Sequence, residues 1–133
     1  MRKAGLLALV LAQGCVSNGV HPLRPLEIAT APYNGIVTAA LTGTLMYDRG
    51  CLLFRADDNR SIVPIWPEGS TFNGTSVIFH EPGRADQRIV LSEEILMEGQ
   101  PLQWRTIAGA RIPVLQRQCG REPFAVLGVR PAN

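Results

Sequence analysis

Three cysteines, two histidines and a scatter of hydroxyls and carboxylates carry whatever covalent or acid–base chemistry this 133-residue chain can perform. The cysteines are Cys15, Cys51 and Cys119, and the histidines are His21 and His80. Their spacing matches no zinc-binding pattern. Thiols here can pair as a bridge or stay reduced as small buried hydrophobes, and an odd number requires a separate fate for one of them. The one acid–base pair to weigh is His80 with an acid such as Asp86, which would make the domain a small hydrolase. Ser70 and Ser76 are the serines nearest to His80 in sequence, and neither has the strand–turn–helix context of an exposed nucleophile. Asp57-Asp58-Asn59 lacks the central Gly and the downstream bidentate Glu of a calcium loop and reads as a solvated turn. Glu93-Glu94 reads as two exposed acids on a loop. The sequence therefore assigns no catalytic residue, no metal ligand and no cofactor. Trp66-Pro67-Glu68-Gly69 is the most distinctive local motif. It reads as a Trp closing one end of the fold before a tight turn. The functional alternative makes Trp66 and Glu68 an exposed rim that contacts a ligand.

The ends of the chain differ in character. Arg2 and Lys3 precede an uncharged run, Ala4 to Ala12, followed by Gln13, Gly14 and Cys15. A positive start, a short apolar middle and small residues before a cut form the layout of an export signal, here residues 1–14. Nine apolar residues span about 14 Å as a helix, against a bilayer core of about 30 Å. That run is too short for a stable membrane span. Leu11-Ala12-Gln13-Gly14-Cys15 resembles the bacterial lipobox, with Gln13 standing where Ala or Ser is commoner. The resemblance implies cleavage before Cys15 and acylation of its thiol, and two or three acyl chains suffice for firm anchoring. It places the protein in the cell envelope. Val16 stands where an Asp would favour the inner membrane, so the expectation leans to the outer membrane facing the periplasm. The alternative is plain cleavage and a soluble secreted or periplasmic protein.

With Cys15 acylated, an even pair remains, and in an oxidising compartment a Cys51–Cys119 disulfide is the expectation. Closing so long a loop is worth roughly 4 kcal/mol in the chain-entropy model. Removing the signal takes away Arg2 and Lys3 and leaves 11 basic residues, all Arg, against 11 acidic ones. A neutral domain has no long-range pull on phosphate backbones. Four Phe and two Tyr besides the two Trp are few for a base-stacking platform. Both points argue against nucleic acid as a partner.

Residues 15–32 read as a lipidated N-terminus and tether, because Asn18-Gly19, His21-Pro22, Pro25 and Ala31-Pro32 hinder regular structure. The pattern changes at Tyr33, and residues 33–133 read as one domain. Gly35 to Tyr47 is rich in Ile, Val, Thr and Leu and predicts a long strand, with a bulge at Gly43. Asp48-Arg49-Gly50 predicts a hairpin turn, followed by strands over Cys51–Ala56 and Ser61–Trp66. Pro64 predicts an edge or a bulge within the latter. Thr75–His80, Arg88–Leu91, Ile95–Glu98 and Phe124–Val129 read as further strands, and Leu102–Ile107 as another. Ala108–Gly120 reads as irregular, interrupted by Gly109 and Pro113. Short strands about ten residues apart predict an all-β fold. Their number and length suit a five- to six-stranded OB-like Greek-key barrel, with a β-sandwich as the alternative.

Gly43 and Leu45, Gly50-Cys51-Leu52, Ile65-Trp66-Pro67-Glu68-Gly69, Gly99, Ile112-Pro113 and Cys119 occur in that order. The set resembles a group of small exported bacterial β-barrel lipoproteins with a Gly-Cys-Leu, Trp-Pro-x-Gly and late-Cys pattern. The resemblance implies a barrel-like fold and a paired early and late cysteine, and it implies no activity. The sequence thus leads to a lipid-anchored envelope protein whose β domain binds a protein, glycan or small-molecule partner without catalysis. The alternatives are the His80 hydrolase and an OB-type module for oligonucleotides or oligosaccharides.

Overall fold

A computed structural model describes residues 27–32 and 35–132. Residues 1–14, read from the sequence as an export signal, and Cys15 and His21 lie outside the described residues. Within them the fold is all-β with one α-helix. Nine strands run in order: β1 (Thr30–Ala31), β2 (Ala39–Asp48), β3 (Cys51–Ala56), β4 (Ser61–Pro67), β5 (Thr71–Phe72), β6 (Ser76–Phe79), β7 (Gln87–Val90), β8 (Ile95–Pro101) and β9 (Glu122–Pro131). The helix α1 (Ile112–Cys119) stands between β8 and β9, preceded by a 3-10 turn at Trp104–Thr106.

Six strands form one sheet in the order β1-β4-β3-β2-β8-β9, with β4 also pairing β9. β5, β6 and β7 form a separate antiparallel sheet. The hairpin between β2 and β3 turns on Arg49 and Gly50, both at positive φ (53° and 83°), and Asp48 faces Cys51 across it. Two left-handed residues match the twist of the flanking strands, which is why a Gly falls there. β2 then pairs β3 along one edge and β8 along the other. β4 and β9 run parallel, from Ile62↔Glu122 to Ile65↔Ala125. Pro64 lies beyond the last β3–β4 pair, Phe54↔Ile62, and there it faces β9 alone. A residue without an N–H is tolerated where one side of the ladder is unpaired.

The sequence places residues 27–32 in the tether, yet they belong to the fold. Ala29 and Ala31 are buried, Trp66 N–H donates to the Ala29 carbonyl, and β1 lies parallel to Trp66 and Pro67. Two small apolar side chains let this segment lie close against β4, despite Pro32 immediately after it.

Two clusters flank β3 and β4. Leu45, Phe54, Trp66, Met97 and Phe124 meet Phe72, Val77, Phe79 and Ile89 of the small sheet in the main core. On the other side Cys51, Leu53, Val63 and Ile65 pack against Ile112 and Leu115 of α1. Alternate residues of β3 therefore serve opposite layers, which accounts for its nearly unbroken apolar run, Cys-Leu-Leu-Phe. β8 has one fully covered face and alternates, with Ile95, Met97 and Gly99 buried and Leu96, Glu98 and Gln100 half-buried.

Three expectations are corrected. Leu102–Ile107 is not a strand, because the chain turns at Trp104–Thr106 and the Ile107 N–H donates to the Trp104 carbonyl. Ala108–Gly120 contains a helix. Pro113 occupies its first turn, where the missing N–H has no intrahelical partner to lose, and Gly120 ends it in the left-handed region at φ 61°. The register shift falls at Glu98/Gly99 rather than at Gly43. Both glycines are nonetheless required by close backbone approach. A Cβ on Gly43 would run into the Arg55 carbonyl, and one on Gly99 into the Ala125 carbonyl and the Phe124 ring.

Gly99→Ala should lower unfolding free energy by about 3 kcal/mol through overpacking of the β8–β9 pair, read by urea denaturation against wild type. Cys119→Ser should cost about 2–5 kcal/mol. Adding reductant should bring the wild-type urea midpoint down to that of the variant.

Candidate functional site

Cys51 opens β3, Cys119 closes α1, and the two form a disulfide across a sequence separation of 68, with Cα atoms 5.7 Å apart. The expected pairing is therefore present. The bridge ties the β8–β9 connection, residues 102–121, to the large sheet. Gln118 Nε2 adds a hydrogen bond to the Arg49 carbonyl at 3.5 Å, so the hairpin tip and the helix end are held together.

The structure separates the two members of the proposed rim. Trp66 is 1% exposed and sits in the main core, with its ring edge-on to Phe79 at 6.2 Å. It can therefore touch no partner from the surface, because it is packed in the core among Phe72, Val77, Phe79 and Ile89 of the small sheet. Its Nε1 hydrogen has no acceptor among the described residues. Glu68, two residues on, is exposed. It lines a cavity of about 480 Å³ together with Glu27, Thr30, Arg111, Ile112 and Leu115.

His80 and Asp86 do come together, with Nδ1 and Oδ1 2.8 Å apart on the small sheet's outer end. The backbone N–H of His80 donates to Ser70 Oγ at 3.1 Å, and that hydroxyl is buried. The opposite ring edge, Cδ2–Nε2, lies over Gly69, where an added Cβ would come within 2.6 Å of Cδ2. Packed backbone therefore occupies part of the space next to the edge a nucleophile would have to share. Among the described residues, no group of three or more His, Cys, Asp or Glu converges in a geometry that could hold a metal ion.

Two concave regions surround the β8–β9 connection. The first is the Glu68 cavity, crossed by a forked ion pair: Arg111 Nε and Nη2 donate to Glu27 Oε2 and Oε1 at 2.6 and 2.9 Å. The hydrogen bond from Arg111 holds the Glu27 carboxyl below the ordinary glutamate range, with the arginine's charge adding to it against a slight burial penalty. Arg111 is raised in turn, first by the same hydrogen bond. This pair joins the segment before β1 to the start of α1.

The second region is a groove of about 480 Å³ on the other side of the connection, lined by Gln103, Trp104, Arg105, Gln116, Arg121 and Glu122. A smaller depression of about 260 Å³ shares Arg121 and Glu122 with it and reaches Arg60. Trp104 packs against the second hydrophobic cluster, and its indole N–H donates to the Arg121 carbonyl at 2.8 Å. Arg60 is engaged by Asp58 at 2.8 Å. The Asp58 carboxyl is lowered, first by the backbone N–H of Arg60 and then by its side chain. Sequence reading did not find this groove. Trp104 and Arg105 stand 16 or more residues before Arg121 in the chain, and a helix that the reading missed brings them together.

No protein-family model, curated protein or solved structure matches this chain. The functional reading therefore rests on the geometry above.

Glu27→Gln tests the forked pair. A carboxylate whose folded pKa is depressed contributes stability that is present above its unfolded pKa and lost as pH falls through the folded one. The melting temperature of wild type should exceed that of the variant by a small, constant margin at neutral pH. That margin should close as pH drops below the ordinary glutamate range, followed by circular dichroism melts from pH 7 to pH 3.

Proposed function

We propose that this is a lipid-anchored cell-envelope protein, acylated at Cys15, that holds a non-enzymatic β domain out from the membrane as a binding module. The observation that carries the reading is the Cys51–Cys119 bridge. Disulfides persist in oxidising compartments outside the cytosol. The bridge uses two of the three thiols and leaves Cys15 alone, directly behind an apolar run too short to span a bilayer.

The finer fold we assign is an OB-like barrel. It is supported by the strand circuit β4-β3-β2-β8-β9, which returns to β4 through the parallel β4–β9 pair. The β5–β7 sheet would then cap the interior, with Phe72 and Phe79 facing Trp66 inside. In this reading the export signal addresses the protein, residues 15–26 form the spacer, and the domain begins at Glu27 rather than after Pro32. The resemblance to small exported barrel lipoproteins points the same way. Neutral net charge after signal removal argues for a partner other than nucleic acid.

Intact mass spectrometry of protein extracted from membranes tests this. The expected mass lacks residues 1–14, carries two or three acyl chains, and is two hydrogens below that of the dithiol at Cys51 and Cys119. Protein recovered from the cytosol with Met1 in place and no fatty acid would overturn it.

A further inference from the structure

We infer that the groove beside Trp104 binds a saccharide bearing a carboxylate, a uronic-acid-type glycan, with Trp104 under the sugar ring and Arg105 and Arg121 on the acid group. The inference rests on the reading of the domain as a binding module and supplies its ligand class.

Trp104 has the properties of a fixed platform. One side of its ring packs on the second hydrophobic cluster, while the residue also lines the groove. Its single polar hydrogen is already committed to the Arg121 carbonyl. The ring is thus oriented before any ligand arrives, which reduces the ordering cost of binding. An aromatic side chain held in this way offers an apolar face to the C–H face of a pyranose.

The charges around it are not neutralised locally. Among the described residues, Arg60, Arg84, Arg111 and Arg130 each have an acidic partner, whereas Arg105 and Arg121, like Arg49, Arg55, Arg88 and Arg117, have none; what sets Arg105 and Arg121 apart is that they line one groove. Both line the same groove, opposed there by Glu122 alone, which makes no ion pair of its own. In a domain whose arginines and carboxylates balance overall, this is a local positive excess in a concave site. Guanidinium groups recognise carboxylates through two parallel hydrogen bonds. Gln103 and Gln116 on the same walls supply amide donors and acceptors suited to ring hydroxyls. An apolar plate, two free guanidiniums and two amides describe an acidic sugar more closely than a neutral one. The groove and the depression towards Arg60, which share Arg121 and Glu122, together hold room for a ligand of more than one sugar residue.

The test is titration of the full-length, detergent-solubilised protein with a short oligogalacturonate, read by calorimetry and by tryptophan fluorescence. The chain has two Trp, and Trp66 is buried, so a ligand-dependent emission change belongs to Trp104. Saturable binding is expected, weakened about tenfold by Arg105→Ala and by Arg121→Ala, as loss of a charge-assisted hydrogen bond requires. Both side chains are exposed, so melting temperatures should stay at the wild-type value. Trp104→Phe should abolish the fluorescence response while leaving weaker calorimetric binding. A maltooligosaccharide of equal length should not bind. Three results would overturn the inference: no saturation with oligogalacturonate, binding indifferent to both arginine variants, or equal affinity for inorganic phosphate. Any of these would leave the anchor and its mass signature untouched.

Discussion

The connection between β8 and β9 lines the Glu68 cavity and the Trp104 groove, and one covalent bond fixes where it lies. Residues 102–121 leave the large sheet at Pro101, turn at Trp104, run through α1 and return at Glu122. Within that excursion Ile112 and Leu115 are buried, and Leu102, Trp104 and Ile107 are only partly buried against the same cluster. The Cys51–Cys119 bridge attaches the helix end to the first residue of β3, next to a hairpin that two left-handed residues already make rigid. Position in the groove and position in the cavity are therefore set from the same point.

The large sheet can be covered on both faces because β3 and β4 have apolar residues at odd and even positions alike. Leu52, Phe54, Ile62 and Trp66 point to the main core, while Cys51, Leu53, Val63 and Ile65 point to the helix. A sheet with a single covered face would show polar residues at every second position. β8 comes nearer to that pattern, with half-buried Glu98 paired to Arg130 of β9 on its outer face at 2.8 Å. At Gly99, β8 meets β9 so closely that no side chain fits, and the ladder shifts by one residue there. β8 pairs β2 from Ile95 to Gly99 and β9 from Ile95 to Pro101, so the shift falls where the pairing with β2 ends.

Most strands were legible because their residues are β-branched or aromatic and the turns between them are marked by Asp, Asn, Gly and Pro. Cys51–Ala56 was read with the bounds the structure gives, and the Arg49-Gly50 turn followed from its residue types alone. The helix was not legible in the same way. Pro113 was read as an interruption, although a proline in a first turn is also a helix-start signal, and Gly120 is the matching stop. Its eight residues contain the polar run Gln116-Arg117-Gln118 and few periodic apolar positions, too little for a helical period to stand out. Trp66 lies buried in the main core, which does not fit its reading as an exposed rim. The groove at Trp104 could not be read from the chain, because its walls meet only through the unrecognised helix. The Arg111–Glu27 fork was hidden for the same reason, with partners separated by 84 residues.

The parallel seating of β1 beside β4 has a mechanical meaning. A pull through the N-terminal segment meets Glu27 first, whose fork passes part of the load to α1 and from there through sulfur to β3. The remainder reaches β1, whose hydrogen bonds to β4 lie across the direction of travel and must be sheared together instead of being unzipped one at a time. Traction from that end is thus divided between an ion pair backed by the disulfide and a shear-loaded strand, both of which begin within five residues of the first described position.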